Sequence, residues 1–160
     1  MKVSVIIAVY EDVEALELII ESLKNQTYKN FEVVIAEDKK KKKMQAFIKS
    51  IKDLDIKHAT QEDIGVRKSK SQNNGIKTSS GEYLIFIDGD CILYSDFIEK
   101  HLILSSPLHI ISGRRVNLGP KYSSFLRNKN ITSLRLEKNF TKKYWILKRA
   151  SSVPISFVSV

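Results

Sequence analysis

Cysteine is almost missing from this chain. Cys91 is the single one in 160 residues, so no internal disulfide can form, and this usage suits a reducing compartment. Long apolar runs are missing as well. No stretch approaches the roughly 18 apolar residues of a membrane-spanning helix. The apolar segment at the start, Val3 to Val9, is short and is followed at once by Glu11 and Asp12. A secretory signal needs a longer apolar stretch and a small-residue cleavage site, so a cytoplasmic protein is expected. There is no internal repeat. No helix-turn-helix or RNP pattern is present, nor an aromatic-rich basic motif, which argues against a nucleic-acid partner. Acidic residues also run out: after Asp96 only Glu99 and Glu137 follow.

Positive charge is plentiful. Lys and Arg number 27 against 18 Asp and Glu, a formal net charge of +9. The excess sits in the run Lys39 to Lys43 and in the tail, from Lys121 to Arg149. A basic balance admits a phosphate-bearing substrate, an anionic membrane surface or simply a solvated face, and charge alone does not choose. The lysine run reads as a solvated loop or a helix start. Hydrophobic residues at 42% and charged residues at 28% describe a globular domain, and the length allows one.

The pattern along the chain is alternation. VSVIIAV, residues 3 to 9, is a continuous β-branched run suited to a strand buried on both faces. Leu16, Ile19, Ile20 and Leu23 draw one apolar stripe on a helix over 13 to 25, with Asp12 as its N-cap. Phe31 to Ala36 reads as a strand, Met44 to Ile51 as a helix and Ile56 to Ala59 as a weak strand. Lys68 to Thr78 reads as a helix, and Glu82 to Ile87, EYLIFI, as a strong strand. Asp96 to Leu104 returns to helix and Leu108 to Ser112 to strand. This β-α-β-α-β-α-β order predicts an α/β fold, Rossmann-like, with a mostly parallel sheet and helices on both faces. Ligands of such sheets bind beyond the carboxyl ends of the strands. Attention therefore falls on Tyr10-Glu11, Glu37-Asp38 and Asp88-Gly89-Asp90.

Two carboxylates at the mouth of a buried strand need compensation, and a divalent cation provides it. Mg²⁺ and Mn²⁺ take oxygen ligands, commonly one or two carboxylates plus substrate phosphates. Gly89 between the two aspartates permits close backbone approach. Taken alone, an Asp-x-Asp sequence is most often an ordinary turn; its place after EYLIFI sets this one apart. Asp38 is either a partner for a base or ribose hydroxyl or an N-cap for the residues after it, while Glu37 beside it reads as charge ballast. Arg67 and Lys68 open the third helix region, either as ordinary surface cations or as a guanidinium and an ammonium that neutralise a diphosphate.

Together the segments VSVIIAVYED, LIIESLKNQTYKNFEVVIAED and NNGIKTSSGEYLIFIDGDCILYSDFI resemble the family 2 glycosyltransferases of GT-A fold, in family order, over about residues 1 to 118. EDIGVRKSKSQNNGI and SGRRVNL resemble the subgroup that builds bacterial surface polysaccharide or lipopolysaccharide. The resemblance implies an inverting transfer from a nucleotide-sugar, a UDP-hexose, to a glycan or lipid-linked acceptor, with Mn²⁺ or Mg²⁺ as cofactor. It implies that Ala8, Tyr10 and Glu11 line the base and ribose pocket and that Asp38 contacts the base. Arg67 then faces the pyrophosphate or base, Asp88 contacts the ribose or metal, Gly89 belongs with the nucleotide-sugar-binding residues, and Asp90 is the direct metal ligand. The metal would act as a Lewis acid on the leaving diphosphate.

Several positions depart from the family pattern. Ala8 stands where proline is common, Glu11 where asparagine is, Glu37-Asp38 for an Asp-Asp pair, lysines for the Asp-Gly-Ser after it, and Gln72 for an arginine before Asn73. The family also continues beyond this length into an acceptor half with an acidic general base, which an inverting transfer requires. Residues 119 to 160 then read as a basic, partly helical remnant of that half, and a nucleotide- and metal-binding remnant without turnover is the alternative reading. A tail carrying Phe125, Leu126, Tyr144, Trp145 and Ile146 beside its lysines offers a peripheral contact with the inner face of the cell membrane; packing of those aromatics on the sheet is the competing expectation. A nucleotidyltransferase is the nearest rival, but the glycine-rich signature it would carry near its first strand is not in AVYEDVEAL.

Overall fold

The structure is a computed structural model that describes residues 1–139 and 155–159. The chain divides into two compact units, one of Met1–Leu16 with Lys29–Gly89, the other of Glu17–Tyr28 with the described residues from Asp90 onward.

The first unit is built on a four-stranded, wholly parallel sheet of β1 (Val3–Val9), β2 (Phe31–Glu37), β3 (Ile56–Thr60) and β4 (Tyr83–Asp88), in the order β3-β2-β1-β4. The two β-branched runs occupy its centre. Val3, Val5, Ile6 and Ile7 of β1 and Val33, Val34 and Ile35 of β2 are all fully buried. Each such side chain contributes about 1.5–3 kcal/mol by leaving water, so these two strands dominate the unit's stability. β4 lies at the edge, with Ile85 and Ile87 buried and Phe86 exposed. Helix α2 (Lys42–Ser50) links β2 to β3, and α3 (Lys68–Thr78) links β3 to β4. β2 and β3 lie on one side of β1 and β4 on the other. The reversal of strand order between β1 and β4 is the topological switch point, where such sheets bind ligands.

The amino ends of the strands are pinned by a buried carboxylate. Glu32 is fully buried and accepts from Ser4 Oγ at 2.7 Å and Ser80 Oγ at 2.7 Å, with Lys2 Nζ at 2.8 Å and Lys57 Nζ at 3.0 Å. Burial alone would push this carboxyl up. The bonds from Lys2, Ser4 and Ser80 outweigh it and hold the group well below the usual carboxylate range.

Helix α1 (Val13–Lys24) starts in the first unit and continues in the second. Asp12 caps it as expected, taking the Ala15 N–H on Oδ1 at 2.9 Å, and the stripe Leu16, Ile19, Ile20 and Leu23 is buried. The second unit adds β5 (Cys91–Leu93), α4 (Phe97–Leu104), β6 (Arg114–Asn117), α5 (Pro120–Arg127), a helical stretch over 133–139 and β7 (Ile155–Ser159). Its three strands order as β5-β7-β6. Leu18, Ile92, Leu126 and Leu136 form its apolar centre. Leu126 is thus core, while Phe125 is 40% exposed. Tyr144, Trp145 and Ile146 lie outside the described residues.

One expected element is not formed. Residues 108 to 112 make no strand; Ser106 and His109 form an isolated bridge, and Leu108 and Ile110 are exposed. The strand forms a few residues later, at Arg114–Asn117, where β7 supplies a parallel partner. Among the described residues no helix is long and apolar enough to cross a membrane.

Candidate functional site

The carboxyl ends of β1, β2 and β4 bring most of the expected residues to one face of the first unit. Ala8 pairs with Asp88 of β4 on one side and with Ala36 of β2 on the other. Asp88 is the last residue of β4, one residue beyond Ile87, where the sequence pattern ended the strand. Gly89 follows immediately. A Cβ there would stand 2.6 Å from Ala8 O and 3.2 Å from Val9 Cα, so only glycine lets the chain leave β4 against the end of β1.

Beyond β1, Tyr10 is half exposed, and Glu11 takes a left-handed backbone with φ 58°. Such a conformation in a non-glycine residue is strained and marks a place held by its surroundings. Here two lysines hold it. Glu11 Oε1 lies 2.7 Å from Lys39 Nζ and 2.9 Å from Lys41 Nζ, and these contacts, Lys39 first, lower the Glu11 carboxyl below its ordinary value. Lys39 also meets Asp63 at 2.6 Å and the Tyr10 hydroxyl at 3.5 Å, with its ammonium 5.3 Å from the centre of the Tyr10 ring. Asp63 and then Glu11 raise its pKa well above that of an ordinary lysine. The first member of the lysine run is thus a tie between three segments and not a solvated charge. Lys42 and Lys43 begin α2, as one of the two readings of the run expected.

Asp38 is buried and does not cap α2, whose N-cap is Lys41. Its Oδ2 accepts the Arg67 N–H at 2.7 Å and its Oδ1 accepts from Gln61 Nε2. Asp38 therefore fixes the segment from Gln61 to Arg67 against the end of β2. Glu37 proves to be more than ballast. It is fully buried, accepting the Lys41 N–H at 3.0 Å and lying 2.8 Å from His58 Nε2.

Arg67 is the N-cap of α3, and its Nη2 donates to Glu62 O. Arg67 Nε and Ser71 Oγ, one turn apart, are buried without a hydrogen-bond partner. Lys68 Nζ lies 2.5 Å from Asp88 Oδ1. The face thus carries carboxylates from Glu11, Asp38 and Asp88, interleaved with cations from Lys39, Arg67 and Lys68.

Asp90 opens the second unit. It is half-buried, and its Oδ1 lies 3.5 Å from Cys91 Sγ. Among the described residues no three His, Cys, Asp or Glu side chains converge as a closed metal cage. Mg²⁺ and Mn²⁺ do not require one, and an oxygen-only set of one or two carboxylates fits the way they are held beside a phosphate ligand. The two acids after Asp96 are both engaged in the second unit. Glu99 Oε2 accepts from Thr27 Oγ1 at 2.7 Å, and Glu137 accepts from Ser95 N at 3.0 Å and Ser95 Oγ at 2.9 Å.

Gln61, His58 and Lys39 did not stand out in the sequence as parts of this face. Each is brought in by a partner from another segment, and nothing in the local pattern announces it.

A parallel sheet in this order, with a carboxylate and a close-approach glycine at its switch point, is the GT-A architecture, and solved glycosyltransferases share it. The UDP-GlcNAc complex of S. aureus TarS 1-349 superposes with a TM-score of 0.57 at 25% identity, over 64% of this chain and 30% of that one. A mannosyltransferase from Pyrobaculum calidifontis, in complex with GDP-Man and Mn²⁺, shares the fold with a TM-score of 0.58 at 17% identity, over 78% of this chain and 37% of that one.

The profile of "Glycosyl transferase family 2" matches residues 4–151, and the chain belongs to that family. An uncharacterized glycosyltransferase of Rickettsia bellii is 37% identical over 102 residues, 63% of this chain and 14% of the relative. Glycosyltransferase GlyA of Streptococcus pneumoniae is 32% identical over 100 residues, 61% of this chain and 14% of its own length. A GalNAc(5)-diNAcBac-PP-undecaprenol beta-1,3-glucosyltransferase of Campylobacter jejuni is 30% identical over 96 residues, 59% of this chain and 31% of the relative. The chain thus spans a third or less of these relatives.

Proposed function

We propose that this chain binds the nucleotide-sugar donor of a glycosyl transfer, a UDP-hexose, at the carboxyl ends of β1, β2 and β4, with Mn²⁺ or Mg²⁺. The observation that carries the reading is Asp88 at the end of β4, in register with Ala8 at the switch point of a parallel sheet. Membership of a glycosyltransferase family and the sugar-nucleotide complexes of the two structural neighbours support it.

In this reading Asp88 and Asp90 hold the cation; their pairing rests on the one-residue spacing along the chain. When bound, the cation supplies charge stabilisation to the leaving diphosphate. Ala8 and Tyr10 border the base and ribose. Asp38 keeps Arg67 in place through its backbone N–H and contacts the base. Arg67 turns toward the pyrophosphate, and Gly89 lets Asp88 approach the ligand. The acceptor is a glycan or a lipid-linked glycan, in line with the undecaprenol-linked name of one relative. Transfer proceeds with inversion, and residues 119 to 160 belong with the acceptor half. The work falls on the cytoplasmic side, with peripheral membrane contact through the basic tail.

A second reading, donor binding without turnover, is favoured by one observation. Glu99 and Glu137 are each held by hydrogen bonds within the second unit, to Thr27 and Ser95, and are not free to act as the general base. Calorimetric titration of UDP in the presence of Mn²⁺ tests the donor site, and release of UDP from a panel of UDP-sugars tests turnover. Binding that needs the metal supports the proposal. Equal affinity after chelation, or no binding at all, overturns it. Binding with no release on any acceptor selects the second reading.

A further inference from the structure

We infer that Lys68 is the resident counter-ion of Asp88, and that it leaves Asp88 for the donor's diphosphate, so that cation and nucleotide bind cooperatively. The inference rests on the proposed function, because it takes Asp88 as a cation ligand.

Lys68 Nζ stands 2.5 Å from Asp88 Oδ1, and the two side chains are 51% and 42% exposed. An ion pair this open to water is weak and readily exchanged. Lys68 is also the first residue of α3, where the helix dipole is positive and a cation is disfavoured. The N-cap is Arg67, with no side-chain cap bond, and the first turn carries no acid. The amino end of α3 thus bears two cations in succession and no acidic residue of its own. Its demand for acceptors shows again inside the turn, where Arg67 Nε and Ser71 Oγ are buried without partners. Asp88, from β4, supplies negative charge to this end beside Asp38, whose Oδ2 accepts the Arg67 N–H.

A diphosphate brings more acceptor oxygens than one carboxylate, and a helix amino end favours phosphate. Lys68 then has a better partner, and Asp88 is released to hold the cation. A cation arriving alone meets an Asp88 already neutralised by an ammonium and is opposed by that charge. The two ligands are coupled through one side chain, and such coupling is reciprocal.

The test titrates Mn²⁺ into wild type, Lys68→Met and Lys68→Arg, following free Mn²⁺ by electron paramagnetic resonance with and without UDP, and titrates UDP alone by calorimetry. Lys68→Met is expected to bind Mn²⁺ alone about three- to fivefold more tightly than wild type, the scale of an exposed ion pair. It is expected to bind UDP alone more weakly, so that the tightening of Mn²⁺ by UDP shrinks. Lys68→Arg keeps the charge and tracks the wild type. A residue that merely supported the fold would move both affinities downward together, and that result overturns the inference. So does an unchanged Mn²⁺ affinity in Lys68→Met when wild type binds Mn²⁺ with UDP. If no form binds Mn²⁺ even with UDP, the proposed function falls, and the inference falls with it.

Discussion

Replacing Gly89 with alanine tests the switch point at the level of single atoms. The added Cβ would sit 2.6 Å from Ala8 O, closer than a carbon can stand, and 3.2 Å from Val9 Cα, tighter than ordinary contact. β4 must shift away from the end of β1, and Asp88 shifts with it. Overpacking of this kind costs about 1–3 kcal/mol. For a chain of this size each kcal/mol moves the melting temperature by about 2–4 °C, so a fall of about 2–12 °C is expected. Gly81→Ala is the matched control at the other end of β4, where a Cβ would meet Ser4 N at 2.6 Å and Ser4 Oγ at 2.5 Å. Both variants should melt earlier by similar amounts. Only Gly89→Ala should also weaken UDP binding, measured calorimetrically at a temperature where all forms are folded. Gly119→Ala, with nothing within 4 Å of the new Cβ, should resemble wild type in both assays. A Gly89→Ala protein that melts with wild type, or equal loss of UDP binding in Gly81→Ala and Gly89→Ala, would contradict a tightly packed switch point at the donor site.

Other expectations concern the supports of the site. Glu32 has its folded-state pKa pushed below the ordinary 4.5, so its contribution is present above about pH 4.5 and is lost as pH falls toward the folded value. Glu32→Gln should remove that acid limb from a pH series of denaturation midpoints, and should cost about 1.5–3 kcal/mol at neutral pH, the scale of hydrogen bonds to a charged group, because the lysines left behind are about a third exposed. Asp38→Ala removes a carboxylate acceptor from the Arg67 N–H. Such a bond contributes about 1.5–3 kcal/mol, so hydrogen exchange at Arg67 should quicken by about tenfold or more, with little change in the centre of β1. Leu126→Ala, in the core of the second unit, should cost about 2–5 kcal/mol in chemical denaturation, whereas Phe125→Ala, at a half-exposed position, should cost far less.

Much of the first unit was legible because its elements are set by local pattern. The β-branched runs of β1 and β2 and the apolar stripe of α1 each announce their burial, and Asp12 announces its cap. The bounds of α3 fall at Lys68 and Thr78, as the polar stretch between loop and Ser80-Gly81 implied. What was not legible depends on pairing at a distance. Residues 108 to 112 are apolar enough for a strand, yet the strand forms at Arg114–Asn117, because β7 comes from more than thirty-five residues onward and its register decides which segment is paired. Glu37 looked like ballast because nothing near it in sequence is basic except the lysine run. Its partner His58 is supplied by β3, the neighbouring strand. Lys39 looked like part of a charged run because its partners Glu11 and Asp63 lie in two other loops. The carboxylates of the candidate site were visible as residue types at strand ends. The cations that attend them in the fold, Lys39 on Glu11 and Lys68 on Asp88, were not visible as pairs.

A divalent cation held at the end of β4 and gripping the phosphates of a sugar nucleotide is the central proposal. The direct measurement is calorimetry of UDP in saturating Mn²⁺ for wild type, Asp88→Asn and Asp90→Ala. Loss of a cation ligand should lower the affinity of each variant by about tenfold or more, with the fold intact by circular dichroism. Affinity unchanged in Asp90→Ala, together with binding by wild type that is indifferent to chelation, would contradict it.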